Sequence, residues 1–113
     1  MRQANARTSV PRSARSMLLA CKRIIQEHVP DATVVLFGSR ARGDVAPDSD
    51  YDLLVVTPAP LTSAEEDRIS DAVYDLQLER GVVISLIFFA RDYWDRHPLM
   101  PLHQEIDQEG IVL

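Results

Sequence analysis

The sequence predicts a small two-layer α/β fold, in which helices pack on a short mixed β-sheet. Two long stretches of the 113 residues repeat apolar side chains at the three-to-four spacing of an amphipathic helix. Three shorter runs are rich in β-branched and aromatic residues, which are typical of strands. Because these helical and extended segments alternate along the chain, their order indicates helices packed on one sheet.

Turn and cap residues set the boundaries of these elements. Pro30 ends the first helix, and Gly81 ends the second. Thr62 and Glu65 have the spacing of a capping box, which marks where the second helix begins. The run at 82–89 is almost wholly apolar and too short for a buried helix, so we expect a strand at the centre of the sheet. The predicted elements are helix 12–29, strand 32–37, a helical turn from residue 40, strand 50–57, helix 62–79, strand 82–89 and short helical pieces at 91–96 and 99–109.

Length and composition predict one domain over residues 1–113, with a loose polar segment at 1–8. The chain is 46% hydrophobic and 26% charged, which is the balance of an ordinary soluble globular protein. Its single cysteine, Cys21, excludes an internal disulfide and favours a reducing compartment, and we interpret it as a small core residue. No apolar run is long enough to span a bilayer, so the expected location is the cytoplasm, without a membrane partner.

Charge is distributed unevenly along the chain. Residues 1–26 carry six basic and no acidic side chains, whereas the remainder carries six basic and 17 acidic ones. A basic arm can meet nucleic acid or phosphates, but such a run is more often a solvated helix face. The acidic remainder disfavours a large nucleic acid as a direct acceptor.

Asp50 and Asp52 are candidate metal ligands. Residues two apart on a strand project from the same face, so both carboxylates would converge where the second strand begins. Their repulsion at the edge of an apolar core calls for a cation, and oxygen ligands with room for phosphate suit Mg²⁺. Asp44 and Asp48 lie in the preceding loop, where turn chemistry is the expected role.

Gly38 and Ser39 form a candidate phosphate-binding turn where the first strand ends. Glycine allows the backbone to approach a ligand closely, and the Ser39 hydroxyl adds a donor. Arg40 and Arg42 follow at once and are either phosphate ligands or solvent-facing side chains. With the two strands adjacent, the turn and the carboxylates would meet at one site.

These residues resemble the DNA polymerase β-like nucleotidyltransferase superfamily, whose signature is Gly-Ser, about ten residues, then Asp-x-Asp. Here Gly38-Ser39 precedes Asp50 and Asp52 by that spacing, and the Arg-Ala-Arg-Gly sequence at 40–43 is similar to that of the small, stand-alone minimal nucleotidyltransferases. The resemblance implies ATP and Mg²⁺ as cofactors, with Gly38, Ser39, Arg40 and Arg42 on the nucleotide and Asp50 and Asp52 on the metal.

The sequence departs from that family at one position of the site. A third carboxylate commonly stands on the next long strand, and the matching polar residue here is Ser85. Serine is a poor metal ligand and no base at neutral pH. Nucleotide binding is therefore better supported than turnover.

The resemblance also implies an acceptor. Stand-alone domains of this kind often add AMP to a tyrosine of a HEPN-type helical partner protein, as toxin–antitoxin pairs. The alternative is a catalytically impaired antitoxin that acts by binding its partner, which Ser85 favours. A small-molecule acceptor would require a pocket formed by a homo-oligomer. Tyr93 and Trp94 are either a nucleobase platform or packing residues.

Overall fold

The elements of the fold follow the predicted order, with short strands added near both termini. The computed structural model describes residues 2–3, 10–43 and 50–113. In chain order the elements are β1 (Arg2–Gln3), α1 (Arg12–His28), β2 (Thr33–Phe37), α2 (Ser39–Arg42), β3 (Tyr51–Thr57), α3 (Ser63–Arg80), β4 (Ile84–Ala90), α4 (Arg91–Arg96), α5 (Pro101–Glu109) and β5 (Ile111–Val112).

The sheet is mixed and has the strand order β1-β5-β2-β3-β4. The β1–β5 and β3–β4 pairs are parallel, and β2 pairs antiparallel with both β3 and β5. The predicted α/β fold, with helices on a short mixed sheet, is confirmed. β1 and β5 have two residues each, which is too short for a period-two pattern to be visible in the sequence.

The prediction that the apolar run at 82–89 forms a central strand was wrong, because among the described residues β4 pairs with β3 alone and lies at the end of the sheet. Its apolar character has another cause. Leu86 and Phe88 pack against the core on one face, and Phe89 packs against the core on the other face. An apolar run indicates that side chains on both faces of a strand pack on the core. It does not indicate whether both edges of the strand are paired.

Alternating side chains of β2 and β3 divide the core between the two faces of the sheet. On one face Val34, Leu36, Leu53 and Val55 pack with α1 and α3, and this cluster contains Cys21, which is fully buried as predicted. Burial of the Cys21 thiol raises its pKa to about 12. The opposite face is covered by the two short helices near the C-terminus; its buried cluster comprises Val35, Phe37, Leu54, Val56, Trp94 and Ile106.

Local signals fix the ends of the second long helix, α3. The Thr62 hydroxyl accepts a hydrogen bond from the Glu65 amide, and the Glu65 carboxylate accepts one from the Thr62 amide, so the predicted capping box is present. At the other end Gly81 adopts φ 66°, a left-handed conformation. Within the described part of the chain, no helix is long and apolar enough to cross a membrane.

Some predictions fall on residues that the structure does not describe. Asp44 and Asp48 lie outside the described residues, as do residues 1 and 4–9 of the segment that we expected to be loose. Residues 2 and 3 form β1, which the sequence did not indicate.

Candidate functional site

The antiparallel pairing of β2 and β3 brings the glycine-serine turn to the carboxylates. Phe37, the last residue of β2, lies opposite Asp52 on β3, so Gly38 follows directly beside Asp52. Gly38 has φ 75° and ψ −158°, a backbone conformation that is essentially restricted to glycine. A Cβ atom at Gly38 would lie 2.5 Å from Oδ2 of Asp52. The absence of a side chain at Gly38 therefore leaves the space into which the Asp52 carboxylate projects.

The residues after Gly38 form the single helical turn α2. The amides of Ala41 and Arg42 both donate to the Gly38 carbonyl, at 3.1 and 3.2 Å. Gly43 ends the turn in a left-handed conformation, and Ala41 is fully buried against the α1 side of the core. Ser39 is half-buried at the start of the turn.

Asp50 and Asp52 are placed close to one another at the same end of the sheet. Asp50 is exposed and immediately precedes β3, and Asp52 is half-buried on the strand. Partial burial raises the pKa of the Asp52 carboxyl, and the nearby charges of Asp50 and Glu105 raise it further, whereas Arg42 lowers it. The ionised form of Asp52 is thus destabilised in the protein alone, and a cation between the two carboxylates would relieve this repulsion.

Ser85 stands next to Asp52 on the neighbouring strand. The two residues are partners in the parallel register of β3 and β4, and the Ser85 hydroxyl donates to Oδ2 of Asp50 at 3.4 Å. The position that would supply a third carboxylate therefore faces the pair, but it carries a neutral donor. A hydroxyl in this place makes one long, exposed contact with Asp50 and supplies neither a good metal ligand nor a base.

Arg40 and Arg42 leave α2 toward different faces of the sheet. The Arg40 guanidinium lies over the ring of Tyr51, 4.4 Å from its centroid, and Tyr51 belongs to the α1 side of the core. Arg42 pairs with Glu109 of α5 at 2.9 Å and with Glu105 at 3.8 Å. Both arginines contact side chains of the protein itself, and phosphate binding by either one stays a prediction.

The sequence did not single out Glu105 and Glu109. They are 63 and 67 residues from Arg42 in the chain, and no local pattern links an acidic helix near the C-terminus to a basic turn near the middle. Only their spacing of four, which puts both on one side of a helix, is visible in the sequence. Their position near the site follows from the packing of α5 on the second face of the sheet.

Of the two roles that the sequence left open for Trp94, packing is the one that the structure supports. Trp94 is buried and stacks on His103, with ring centroids 4.2 Å apart. Tyr93 is 44% exposed and stacks on Phe89 and His97. The His103 ring in turn contacts the Asp107 carboxylate at 3.0 Å. These contacts account for the aromatic pair by packing within the protein.

The carboxylates of the site set which metal ion it can hold. Within residues 2–3, 10–43 and 50–113, no group of three histidine, cysteine, aspartate or glutamate side chains is placed to hold a metal ion. Asp50 and Asp52 supply two carboxylates beside a glycine that has no side chain. Magnesium is commonly bound through one or two carboxylates, with phosphate and water oxygens as further ligands. The residues present fit a nucleotide-bound Mg²⁺.

The family model for the nucleotidyltransferase domain matches residues 18–111, and the chain belongs to this family. A protein of Methanocaldococcus jannaschii, named as a protein adenylyltransferase, is 34% identical over 80 residues, which cover 71% of this chain and 75% of that protein. The resemblance to the minimal nucleotidyltransferases is thereby confirmed.

Solved structures show the same fold. A structure described as a minimal nucleotidyltransferase has a TM-score of 0.63 and 25% identity, over 97% of this chain and all of that one. A structure of a tri-AMPylated Shewanella oneidensis HEPN toxin in complex with an MNT antitoxin has a TM-score of 0.58 and 15% identity, over 87% of this chain and 69% of the matched chain. At that identity the second likeness shows the fold alone.

Proposed function

We propose that this protein is a Mg²⁺-dependent nucleotidyltransferase that transfers AMP from ATP to a hydroxyl group of a partner protein. The observation that carries the proposal is the contact between Gly38 and Asp52, in which a Cβ atom on the glycine would lie 2.5 Å from the carboxylate. This closeness supports the proposal, because the turn that would approach the phosphates and the carboxylates that would hold the metal lie side by side.

The chain's own residues have distinct tasks in this function. Bound Mg²⁺ would neutralise charge on the triphosphate and favour attack at phosphorus. Asp50 and Asp52 would hold this ion, and Gly38 would let the phosphate tail approach the backbone. The Ser39 hydroxyl would donate to a phosphate oxygen, and the Ser85 hydroxyl lies 3.4 Å from the Asp50 carboxylate.

The transfer forms one bond and breaks one bond. The acceptor oxygen attacks the α-phosphorus of ATP, the bond from this phosphorus to the bridging oxygen breaks, and pyrophosphate leaves with the electron pair. The acceptor hydroxyl loses its proton in the process. Since Ser85 is no base at neutral pH, that proton passes to the partner or to water.

A HEPN-type protein is the acceptor that the comparisons support best. The structure from Shewanella oneidensis pairs an AMP-bearing HEPN toxin with an MNT antitoxin of the same fold as this chain. The relative from Methanocaldococcus jannaschii is named for adenylyl transfer to protein. A tyrosine hydroxyl on such a partner is the proposed target.

The second candidate function is neutralisation of a partner by contact, with nucleotide binding but without transfer. Ser85 favours it, because the position beside Asp52 in the strand register lacks the carboxylate that would complete a catalytic metal pair. In that case the nucleotide would stabilise the complex, and its phosphates would stay intact.

Mass spectrometry of the purified pair with ATP and Mg²⁺ distinguishes the two functions. We expect the partner to gain AMP with the wild-type protein and no AMP with Asp50→Asn/Asp52→Asn. We also expect Ser85→Asp to raise the affinity for Mn²⁺, used as a spectroscopic substitute for Mg²⁺, because it adds a ligand. A partner that stays unmodified, yet is neutralised equally by wild type and the double variant, would overturn the transferase proposal and support the second candidate.

A further inference from the structure

Arg42 links the phosphate-binding turn to the last helix. Its guanidinium lies 2.9 Å from the Glu109 carboxylate and 3.8 Å from the Glu105 carboxylate, both on α5. The hydrogen bond to Glu109 spans 67 positions of the chain. All three side chains are 29% to 43% exposed, so the link lies at the surface and breaking it leaves no buried charge.

The helical turn α2, to which Arg42 belongs, depends on contacts with other elements for its stability. A helix of four residues gains little from its own hydrogen bonds, because nucleation of a helical turn is unfavourable. Contacts with both faces of the sheet hold α2 in place. Ala41 is buried against the core on the α1 face, Arg40 lies over Tyr51 on that same face, and Arg42 reaches α5 on the opposite face.

We propose that Arg42 is a positioning residue, which fastens α2 to α5 through Glu109 and Glu105 and thereby holds Gly38 and Ser39 in place for the triphosphate. The proposal rests on the function proposed above and revises one part of it. Arg42 acts on the nucleotide through the backbone of α2, and Glu109 becomes part of the nucleotide site although it carries the same charge as the ligand.

Two assignments for Arg42 predict opposite effects of the variant Glu109→Gln. If Arg42 is a phosphate ligand, removal of the competing carboxylate frees its guanidinium, and the affinity for ATP and Mg²⁺ rises or stays the same. If Arg42 is a positioning residue, the same variant loosens α2 and the affinity falls. We expect a loss of about fivefold, which corresponds to a partly exposed ion pair that is fully coupled to binding.

The first measurement is titration calorimetry with ATP and Mg²⁺ in the absence of any acceptor. Glu109→Gln and Arg42→Met should each weaken binding, and the double variant should be no weaker than Arg42→Met alone, since both changes break one link. Asp107→Asn is the matched control on the same helix, because its carboxylate contacts His103 at 3.0 Å; it should bind like wild type. Unchanged or tighter binding by Glu109→Gln would overturn the proposal.

The second measurement, amide hydrogen exchange without nucleotide, separates loosening of α2 from a general loss of stability. The amides of Ala41 and Arg42, which donate to the Gly38 carbonyl, should exchange faster in Glu109→Gln. Those of Leu54 and Val55 in the sheet should keep their wild-type rates. Unchanged exchange in α2 would also refute the positioning role. Because this readout needs no nucleotide, it tests Arg42 even if the Asp50→Asn/Asp52→Asn result disproves the proposed function.

Discussion

Replacing Gly38 by alanine would place a methyl group against the Asp52 carboxylate. The Cβ position lies 2.5 Å from Oδ2, about 0.9 Å short of the 3.4 Å at which ordinary contact begins. The backbone conformation at φ 75° and ψ −158° adds a cost of about 1–3 kcal/mol for any residue with a side chain. Asp52 therefore has to move, and the displacement of this proposed metal ligand by about an ångström should lower the affinity for ATP and Mg²⁺ by roughly 10- to 100-fold.

Gly81 offers a matched control for this substitution. It has φ 66° and lies at the end of α3, but, apart from its two chain neighbours, no heavy atom of the described residues lies within 4 Å of its Cβ position. Alanine there should cost about 1–2 kcal/mol of unfolding free energy for the left-handed backbone, and nucleotide affinity should not change. Urea denaturation measures the two stabilities and titration calorimetry measures the two affinities. If Gly38→Ala binds as tightly as Gly81→Ala, the glycine turn does not position Asp52 for the metal.

Two further predictions concern stability and thiol chemistry. Thr62→Ala should lower the free energy of unfolding by about 0.5–2 kcal/mol, measured in urea, because it removes the capping hydrogen bond at the start of α3. The bonds from Thr62 lower the pKa of the Glu65 carboxyl, so this stabilisation is present above the ordinary pKa of glutamate and is lost as the pH falls through the lowered value. Thr62→Ala keeps the hydrogen bond from the residue-62 amide to this carboxylate and loses the one from the hydroxyl, so only part of the deficit should shrink in acid. The rest belongs to the bond from the Glu65 amide to the Thr62 hydroxyl, which does not titrate; the absence of any deficit at neutral pH would contradict the capping role. Cys21 is fully buried, and burial raises its pKa to about 12, so its thiol in the native protein should not react with Ellman's reagent at pH 8. The urea-unfolded protein should react at once. Rapid reaction of the native protein would show that α1 opens from the core.

Much of this architecture was predictable because its signals are local. The helical spacing in α1, the capping box of Thr62 and Glu65, and Gly81 at the end of α3 each act within a few residues of where they stand. The adjacency of Gly38 and Asp52 also followed from sequence, since two strands joined by a loop are expected to pair. The structure adds the register, with Phe37 opposite Asp52, that makes this adjacency a contact.

The features that were not predicted depend on tertiary packing. β4 is apolar because its side chains pack on the core on both faces of the sheet, and the sequence pattern carries no information about its outer edge, with which no described strand pairs. The partners of Arg42 were missed because Glu105 and Glu109 approach it only when α5 packs on the second face of the sheet. The positions of β1 and β5, which have two residues each, are set by the strands with which they pair.

The outer edge of β4 bears on how the protein behaves in concentrated solution. Among the described residues, no strand pairs with this edge, and the segment Ile84–Ala90 contains neither a charged residue nor proline. Edge strands usually carry one or the other, because a bare edge is a template for the addition of further chains and for aggregation. Ile87, 37% exposed, is the natural place for a protective lysine, which would slow aggregation of stored samples.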